Sequence, residues 1–513
     1  MKNGSFRHDL CKRDCCPDDV HSEAPGDRAF RQQEDERMNK LKSCALGLAL
    51  VLGVAGSACA APTVFPTGVT IYNPEKAYNG YTLLCVLRAT PHGLPLIDMN
   101  GNVVNKWMRV EGQPAQLLPN GNLLAEKVLY DPDKWTGRLL EGSAVVEKTW
   151  NDEIVWEWDK GVEIEATPEL KAKGQQTMWS AQQHHDLQRE GMAVYYTPTS
   201  MPKENGRTLI QCHKEVNGQD SAALVIVDKD GNAVWSWNYM DHADDMKGIA
   251  NFQNAASWLG PNKWYDAGDE RFHPENIICD DGQSVIYILD HKTGKPVWQV
   301  GPEYGKDDPL RSLGMHLEEG GYRGLFAGGM LHHAHMIPRG LPGEGNIMVF
   351  NNGLPYSEVV EFDPVTGKKV WEYSGQALGY GPTHSLSHYF FSATISSAQR
   401  LPNGNTLICE GDGGRIFEVT PDHETVWEYV TPYMWYGMVS GFVAEELQRA
   451  DKKARPTNSV YRAYRYPYDY VKQVKAPKET PVVYEDPFIY DPSISEDHEV
   501  EMSGEEFTTF KRY

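Results

Sequence analysis

Basic charge is in short supply in this sequence, and so are cysteines with any chemically useful spacing. The 513 residues carry a formal net charge of −22. Residues 1–60 hold nine Lys/Arg and nine Asp/Glu, so a chain beginning at Ala61 keeps all of that negative charge. An acidic surface repels phosphate backbones and no basic stripe interrupts it, which argues against nucleic acid as a partner. An anionic substrate needs a locally positive pocket inside that shell. Of the nine cysteines, Cys11, Cys15, Cys16, Cys44 and Cys59 precede Ala61. The remaining four, Cys85, Cys212, Cys279 and Cys409, sit in apolar strand-like runs without metal-ligand spacing. Both a disulfide and four buried thiols are compatible with that pattern, and no metal is expected.

Met38 opens a leader-like segment: Asn39-Lys40-Leu41-Lys42, an apolar run over 44–54, then Ala58-Cys59-Ala60. This order reads as a secretory signal (38–60) cleaved after Ala60, which predicts a periplasmic or secreted protein with no stable membrane association afterwards. Two alternatives remain open. The run 43–61 is barely long enough for an uncleaved anchor, and Cys59 is a weaker lipidation candidate because Gly56 stands where a Leu-like residue belongs. Residues 1–37 are polar and mixed in charge and are excluded from the fold.

The chain is organised around the stretch 385–429. There, a strand over 397–401 runs through a Pro-Asn-Gly-Asn turn into 406–410. A Gly-rich turn leads to 415–419, and a polar turn to a last strand through Trp427. Strands of this length separated by Asn-Gly and Asp-Gly turns are successive antiparallel hairpins, and four make a propeller blade. Degraded copies recur as LIDMNGNVVNKW, AVVEKTWNDEIVWEW, LVIVDKDGNAVWSW, IYILDHKTGKPVWQV, VVEFDPVTGKKVWEY and IFEVTPDHETVWEY, marked by Trp107, Trp158, Trp237, Trp298, Trp371 and Trp427. Six copies predict an all-β, six-bladed β-propeller. Residues 61–90 form a small N-terminal β segment that packs on or completes the first blade. The propeller spans 91–475 and is closed by an aromatic-basic strap over 460–471, with a short helix over 444–453. Residues 476–513 are an acidic, disordered tail. Long insertions at 163–183 and 240–275 are expected to cover or line a site.

A second half-motif precedes the tryptophan strands: QPAQLLPNGNLLAE, HHDLQREGMAVYY, HHAHMIPRGLPGEGNIMVF and SSAQRLPNGNTLICE. Aligned on its turn, Gln116, Gln188, His335 and Gln399 coincide, as do His185 and His332 three positions earlier. Histidine is therefore the informative residue, with His184, His185, His332, His333, His335, His384 and His388 all at blade entries. A metal site needs two to four converging imidazoles. On a strand, however, residues three apart face opposite sides, so His332 and His335 converge only if the backbone bends. Covalent catalysis is the other reading: a neutral His attacks sulfur or phosphorus while His and Arg side chains hold the equatorial oxygens. The bland alternative is that these rings hydrogen-bond propeller loops.

The strings HHAHMIPRGLPGEGNIMVFNNG, ASWLGPNKWYDAGDERFHPENII, SSAQRLPNGNTLICEGDGGRIFEV and SVYRAYRYPYDYV resemble the bacterial aryl sulfotransferase (arylsulfate sulfotransferase) family and its broader relatives. The resemblance implies a periplasmic six-bladed propeller without cofactor. Such an enzyme moves a sulfuryl group from an aryl sulfate to a phenol through a sulfohistidine, without a nucleotide sulfate donor. It assigns the nucleophile to His388, in His388-Tyr389-Phe390-Phe391-Ser392, and an oxyanion-binding role to His332, helped by His185 or His335. His184, His333 and Arg400 are candidate substrate-binding groups. A second family His and a family Arg are replaced by Phe252 and Glu358. Two other readings compete. LDHKTGKPVW and FDPVTGKKVW resemble the tryptophan-docking repeat of quinoprotein dehydrogenases, and a non-catalytic ligand- or protein-binding propeller would accommodate the substitutions.

Overall fold

The computed structural model describes residues 66–86, 93–127, 144–159, 162–165, 177–180, 185–217, 219–246, 248–281, 284–301, 314–315, 330–353, 356–379, 389–433 and 458–483. The leader, the helix expected over 444–453, and His184, His384 and His388 lie outside them. Among the described residues helix is confined to Lys263–Asp266 and single 3-10 turns. The rest is strand and loop.

Six antiparallel blades form a β-propeller. From axis to rim, the second blade is Val110–Leu117, Leu123–Lys127, Ala144–Lys148 and Ile154–Trp158. The third, fourth, fifth and sixth repeat that order from inner strands Leu187–Arg189, Ala255–Trp258, Leu331–Met336 and Ser397–Arg400. The first blade takes its inner strand from the far end of the chain. Val460–Pro467 pairs with Gly80–Val86, from Gly80↔Pro467 to Val86↔Val460. The N-terminal strand Gly68–Tyr72 crosses to the other side of the seam and covers the rim strand Thr425–Val430 of the sixth blade. The N-terminal segment thus serves two blades: its first strand lies on the sixth and its second in the first. The rim strand Thr425–Val430 is thereby covered, and the isolated bridge Tyr72↔Val482 partly covers the strand that covers it.

The tryptophan repeat has a physical cause. Each rim strand donates one indole N–H to the outer turn of the next blade: Trp107 to the Thr149 carbonyl, Trp156 to Lys229, Trp237 to Gly294, Trp298 to Pro364, Trp371 to Pro421, and Trp427 to Met99. All six distances are 2.9–3.0 Å, and the last returns to the first blade. In the second blade the donor is Trp156 rather than Trp158. Both point to the same side of the strand, so spacing alone does not separate them. The Thr-Gly turns are blade furniture too: Asp290 Oδ1 accepts from the Lys292 and Thr293 amides.

Two expectations need correction. The segment 240–275 is not all insertion, since it contains the inner strand of the fourth blade, Ala255–Trp258, paired with Ile277–Asp280. That strand lacks the Asn-Gly turn. Its connection is instead a helical turn capped by Asn262, whose side chain accepts from the Trp264 and Tyr265 amides. The tail is ordered beyond residue 476: Val482 exchanges backbone hydrogen bonds with Tyr72, and Asn100 holds Lys478 and Thr480. Residues 484–513 lie outside the described set.

Candidate functional site

The inner strands all begin on one face of the propeller, because each is entered from the rim of the preceding blade. The residues before or at those beginnings are His185–Asp186, Phe252–Asn254, His332, Tyr389–Ser396 and Ser459–Arg462. Two large rings there reach solvent: Phe252 is 37% exposed and Tyr389 44%.

Arg462 organises the interior below this face. It is fully buried on the closing strand. Its guanidinium donates to Asp186 Oδ2 at 3.0 Å, to the Tyr464 hydroxyl at 3.2 Å and to the Asn254 carbonyl at 3.1 Å. Asp186 also accepts from the Leu187 and Ala256 amides, both inner-strand N–H groups. Asp280 accepts from the Asn254 and Ala334 amides. Burial raises the Asp186 carboxyl despite its cation, and raises Asp280 to about 8 although Arg462 and two amides oppose it. Removal of a carboxylate from water outweighs a single guanidinium shared between two of them.

His185 borders the face. It has a left-handed backbone, φ 64°, unusual for a residue with a Cβ. Its Nδ1 lies 3.1 Å from the Gln253 carbonyl, which can only accept, so Nδ1 carries a proton. Its ring stacks on Tyr461 at 5.7 Å and meets Phe252 edge-on at 5.6 Å.

The histidines of the fifth blade are bound differently. A bulge between His332 and His335, with His333 at φ 56°, bends the strand as the metal reading required. It brings His333 against His335 (ring centroids 4.5 Å apart) rather than joining 332 to 335. His332 Nε2 accepts the Ile395 amide at 3.2 Å and Nδ1 donates to Asn352 Oδ1 at 2.6 Å. His335 donates through Nδ1 to the His333 carbonyl at 2.7 Å and accepts from the Tyr195 hydroxyl at 3.1 Å. Burial lowers His332 and His335 to about 3 and His333 well below its usual range, so all three are neutral at physiological pH. With both nitrogens engaged, His332 and His335 offer no free atom to a sulfuryl oxygen, which corrects their expected catalytic role. His333 is buried with Nε2 toward Tyr464, 3.4 Å away. Arg400 is an ion-pair partner of buried Glu361 at 2.5 Å and donates to the Gly404 carbonyl, so its substrate-binding assignment is corrected too.

His332 nonetheless acts on the face. The Ile395 it grips has φ 52° and Ser396 φ 92°, conformations unfavourable for a β-branched residue above all. Asn352 donates to the Ser392 and Ile395 carbonyls, and Asp412 accepts from the Ala393 and Thr394 amides. A strained segment directly after the His388 string is thereby held from three sides. Glu358 is buried against Asn351, 2.8 Å away.

The strap stands at the closure as the sequence implies, but Arg462, Tyr195 and Tyr464 do not stand out in the sequence. Among the described residues no group of three or more His, Cys, Asp or Glu could hold a metal ion. The four cysteines are buried thiols, with Cys85 and Cys212 pushed up to about 12 by burial.

No protein-family model matches the chain, and no curated protein does. Among solved structures it is similar to a protein of unknown function from Bacteroides caccae, at 10% identity over 75% of this chain and 98% of that one, TM-score 0.41. It is also similar to the Dos1 propeller (11% identity, 67% and 68% covered, TM-score 0.30) and to BamB from Moraxella catarrhalis (10%, 68% and 71%, TM-score 0.25).

Proposed function

We propose that the protein is an exported aryl sulfotransferase-like enzyme that works on the face where the inner strands begin. The observation that carries this reading is the segment 392–396, strained and clamped by His332, Asn352 and Asp412 immediately after the His388 string. Strain of this kind persists where the surroundings over-determine a backbone, and it gathers at sites that need a fixed geometry. In this scheme His332 is a positioning residue and not an oxyanion ligand.

The chemistry assigned to His388 rests on the family resemblance. Its imidazole attacks the sulfur of an aryl sulfate; an N–S bond forms, the S–O bond breaks and a phenolate leaves. The acceptor phenol then attacks the same sulfur, the N–S bond breaks and His388 is regenerated. Phe252 and Tyr389 supply flat apolar surface for aryl groups. His185, which borders this face, is the candidate to take the acceptor's proton. A second reading, a propeller that binds aryl compounds without turnover, is favoured by the commitment of Arg462 to Asp186, Asn254 and Tyr464. That cation is spoken for, and Phe252 and Glu358 add none.

Release of 4-nitrophenol from 4-nitrophenyl sulfate by the 61–513 protein, with and without added phenol, separates the two. Transfer predicts phenol-stimulated release that vanishes in His388→Ala. It also predicts a kcat drop in His185→Gln that is smaller than the His388 effect and shrinks as pH rises toward the range where the acceptor phenol ionises unaided. A folded protein that binds the ester but releases nothing with any phenol overturns transfer in favour of binding.

A further inference from the structure

At the other ends of the inner strands lies a cavity of about 410 Å³. It opens between the turns that follow the inner strands of the third, fourth and fifth blades, at Glu190–Gly191, Leu259–Gly260 and Pro338–Arg339. His185, Phe252 and His332 stand at the beginnings of the same three strands, so this cavity is separate from the face described above. Its volume falls within the ~300–1,000 Å³ of small-molecule sites.

The walls are apolar and flat or soft: Trp258, Met192, Leu259, Met336, Pro261 and Pro274. The indole presents a planar surface, the prolines stiff apolar ones, and thioethers adapt to ring edges. The polar groups around it are engaged with one another. Arg207 forks onto Glu190 at 2.9 and 3.0 Å and reaches Glu275 at 2.9 Å, while Lys203 pairs with Glu190 at 2.6 Å. Arg339 is held by Asp266. The Gln188 amide donates to the Met192 carbonyl and accepts from the Trp258 amide, and the Thr197 and Thr199 hydroxyls both donate to the Arg339 carbonyl. A charged occupant would compete with these pairs for its counter-charge, whereas an uncharged one leaves them intact.

We propose that this cavity binds an uncharged, planar aromatic compound, seated against Trp258 between the methionines. The site does not depend on the sulfuryl-transfer reading, and it survives if that reading fails.

The probe is N-phenyl-1-naphthylamine, an uncharged fluorophore that brightens in apolar surroundings, titrated into the 61–513 protein. Saturable one-to-one binding is expected. Ala193→Trp fills the cavity from its wall, and Thr199→Trp narrows it from an exposed rim position at the loss of one hydroxyl contact to the Arg339 carbonyl; each should weaken binding about tenfold or more. The anionic relative 8-anilinonaphthalene-1-sulfonate should bind at least several-fold more weakly. No saturable binding overturns the proposal, as does equal affinity in a folded Thr199→Trp variant. Equal affinity for the anionic dye overturns the uncharged occupant.

Discussion

The junction between the third and fourth blades and the one between the fifth and sixth meet the same demand with different side chains. In both, inner-strand amides of the later blade point at the earlier blade and need acceptors. At the first junction Asp186 accepts from Ala256 N at 3.1 Å and Gln188 from Trp258 N at 2.8 Å. At the second, His332 Nε2 accepts from Ile395 N at 3.2 Å. The amide of Arg400 goes to the Tyr195 hydroxyl at 3.3 Å, which in turn donates to His335. Gln116 and Gln399 repeat the glutamine solution, accepting from Arg189 N and Arg465 N. The position shared by Gln116, Gln188, His335 and Gln399 is therefore a staple between blades. A histidine there is too short for the neighbouring amide, and a tyrosine hydroxyl bridges the gap. What differs is the acceptor: the third-to-fourth junction uses a carboxylate that needs Arg462, whereas the fifth-to-sixth uses neutral imidazoles for its amides and keeps its charge in the separate Arg400–Glu361 side-chain pair.

That difference orders the consequences of breaking each junction. Arg462→Met leaves Asp186 buried without its cation. Losing one partner of a buried pair costs about 3–5 kcal/mol, and urea unfolding of the variant should show a loss of that size. A loss under about 1 kcal/mol would mean that Asp186, like Asp280, is already protonated in the native protein. His332→Ala orphans the Ile395 amide and Asn352 Oδ1 at the fifth-to-sixth junction; two buried groups left unpaired cost on the order of 2–4 kcal/mol, read by the same measurement.

The two kinds of junction also have opposite pH responses. Asp280 has its folded pKa raised to about 8, so the folded state binds more protons than the unfolded one between about pH 4 and 8. Stability from this group is full at low pH and is lost as pH rises through that window. His332 and His335 have folded values of about 3, below the unfolded imidazole. Their contribution is present above about pH 6.5 and is lost on acidification toward 3. Melting temperatures across pH 4–8.5 should show the alkaline decline flattened in Asp280→Asn and the acid decline flattened in His335→Gln. An unchanged alkaline limb in Asp280→Asn would remove that carboxyl as its source.

The blade count was legible because rim strands repeat a turn and a tryptophan, and both do local work that leaves a local trace. The glutamine staple was visible as an alignment column, although its purpose was not. A column of Gln, Gln, His and Gln invites a catalytic reading of the His until the partner amide is seen. Arg462 was illegible for a simpler reason: Asp186 and Asn254 lie 276 and 208 residues away, and nothing near Arg462 in the chain marks it as buried. The inner strand Ala255–Trp258 escaped because its turn had been replaced by a capped helical turn. What a sequence repeats can be read from it; what closes the ring across hundreds of residues needs the fold.

The smallest effect tests the staple idea most directly. Tyr195→Phe removes one hydroxyl, leaving the Arg400 amide without an acceptor and His335 Nε2 without a donor. It should cost about 1–2 kcal/mol, less than His332→Ala because the ring still fills its place. If the fifth blade uses His335 and Tyr195 together as a stand-in for glutamine, His335→Gln should restore the missing acceptor in the Tyr195→Phe background. The double variant should then unfold at a higher urea concentration than Tyr195→Phe alone, giving a coupling energy of roughly 0.5–3 kcal/mol in a double-mutant cycle. Simple additivity of the two losses would show that the shared column is an accident of alignment, and that Tyr195 holds the axis by packing alone.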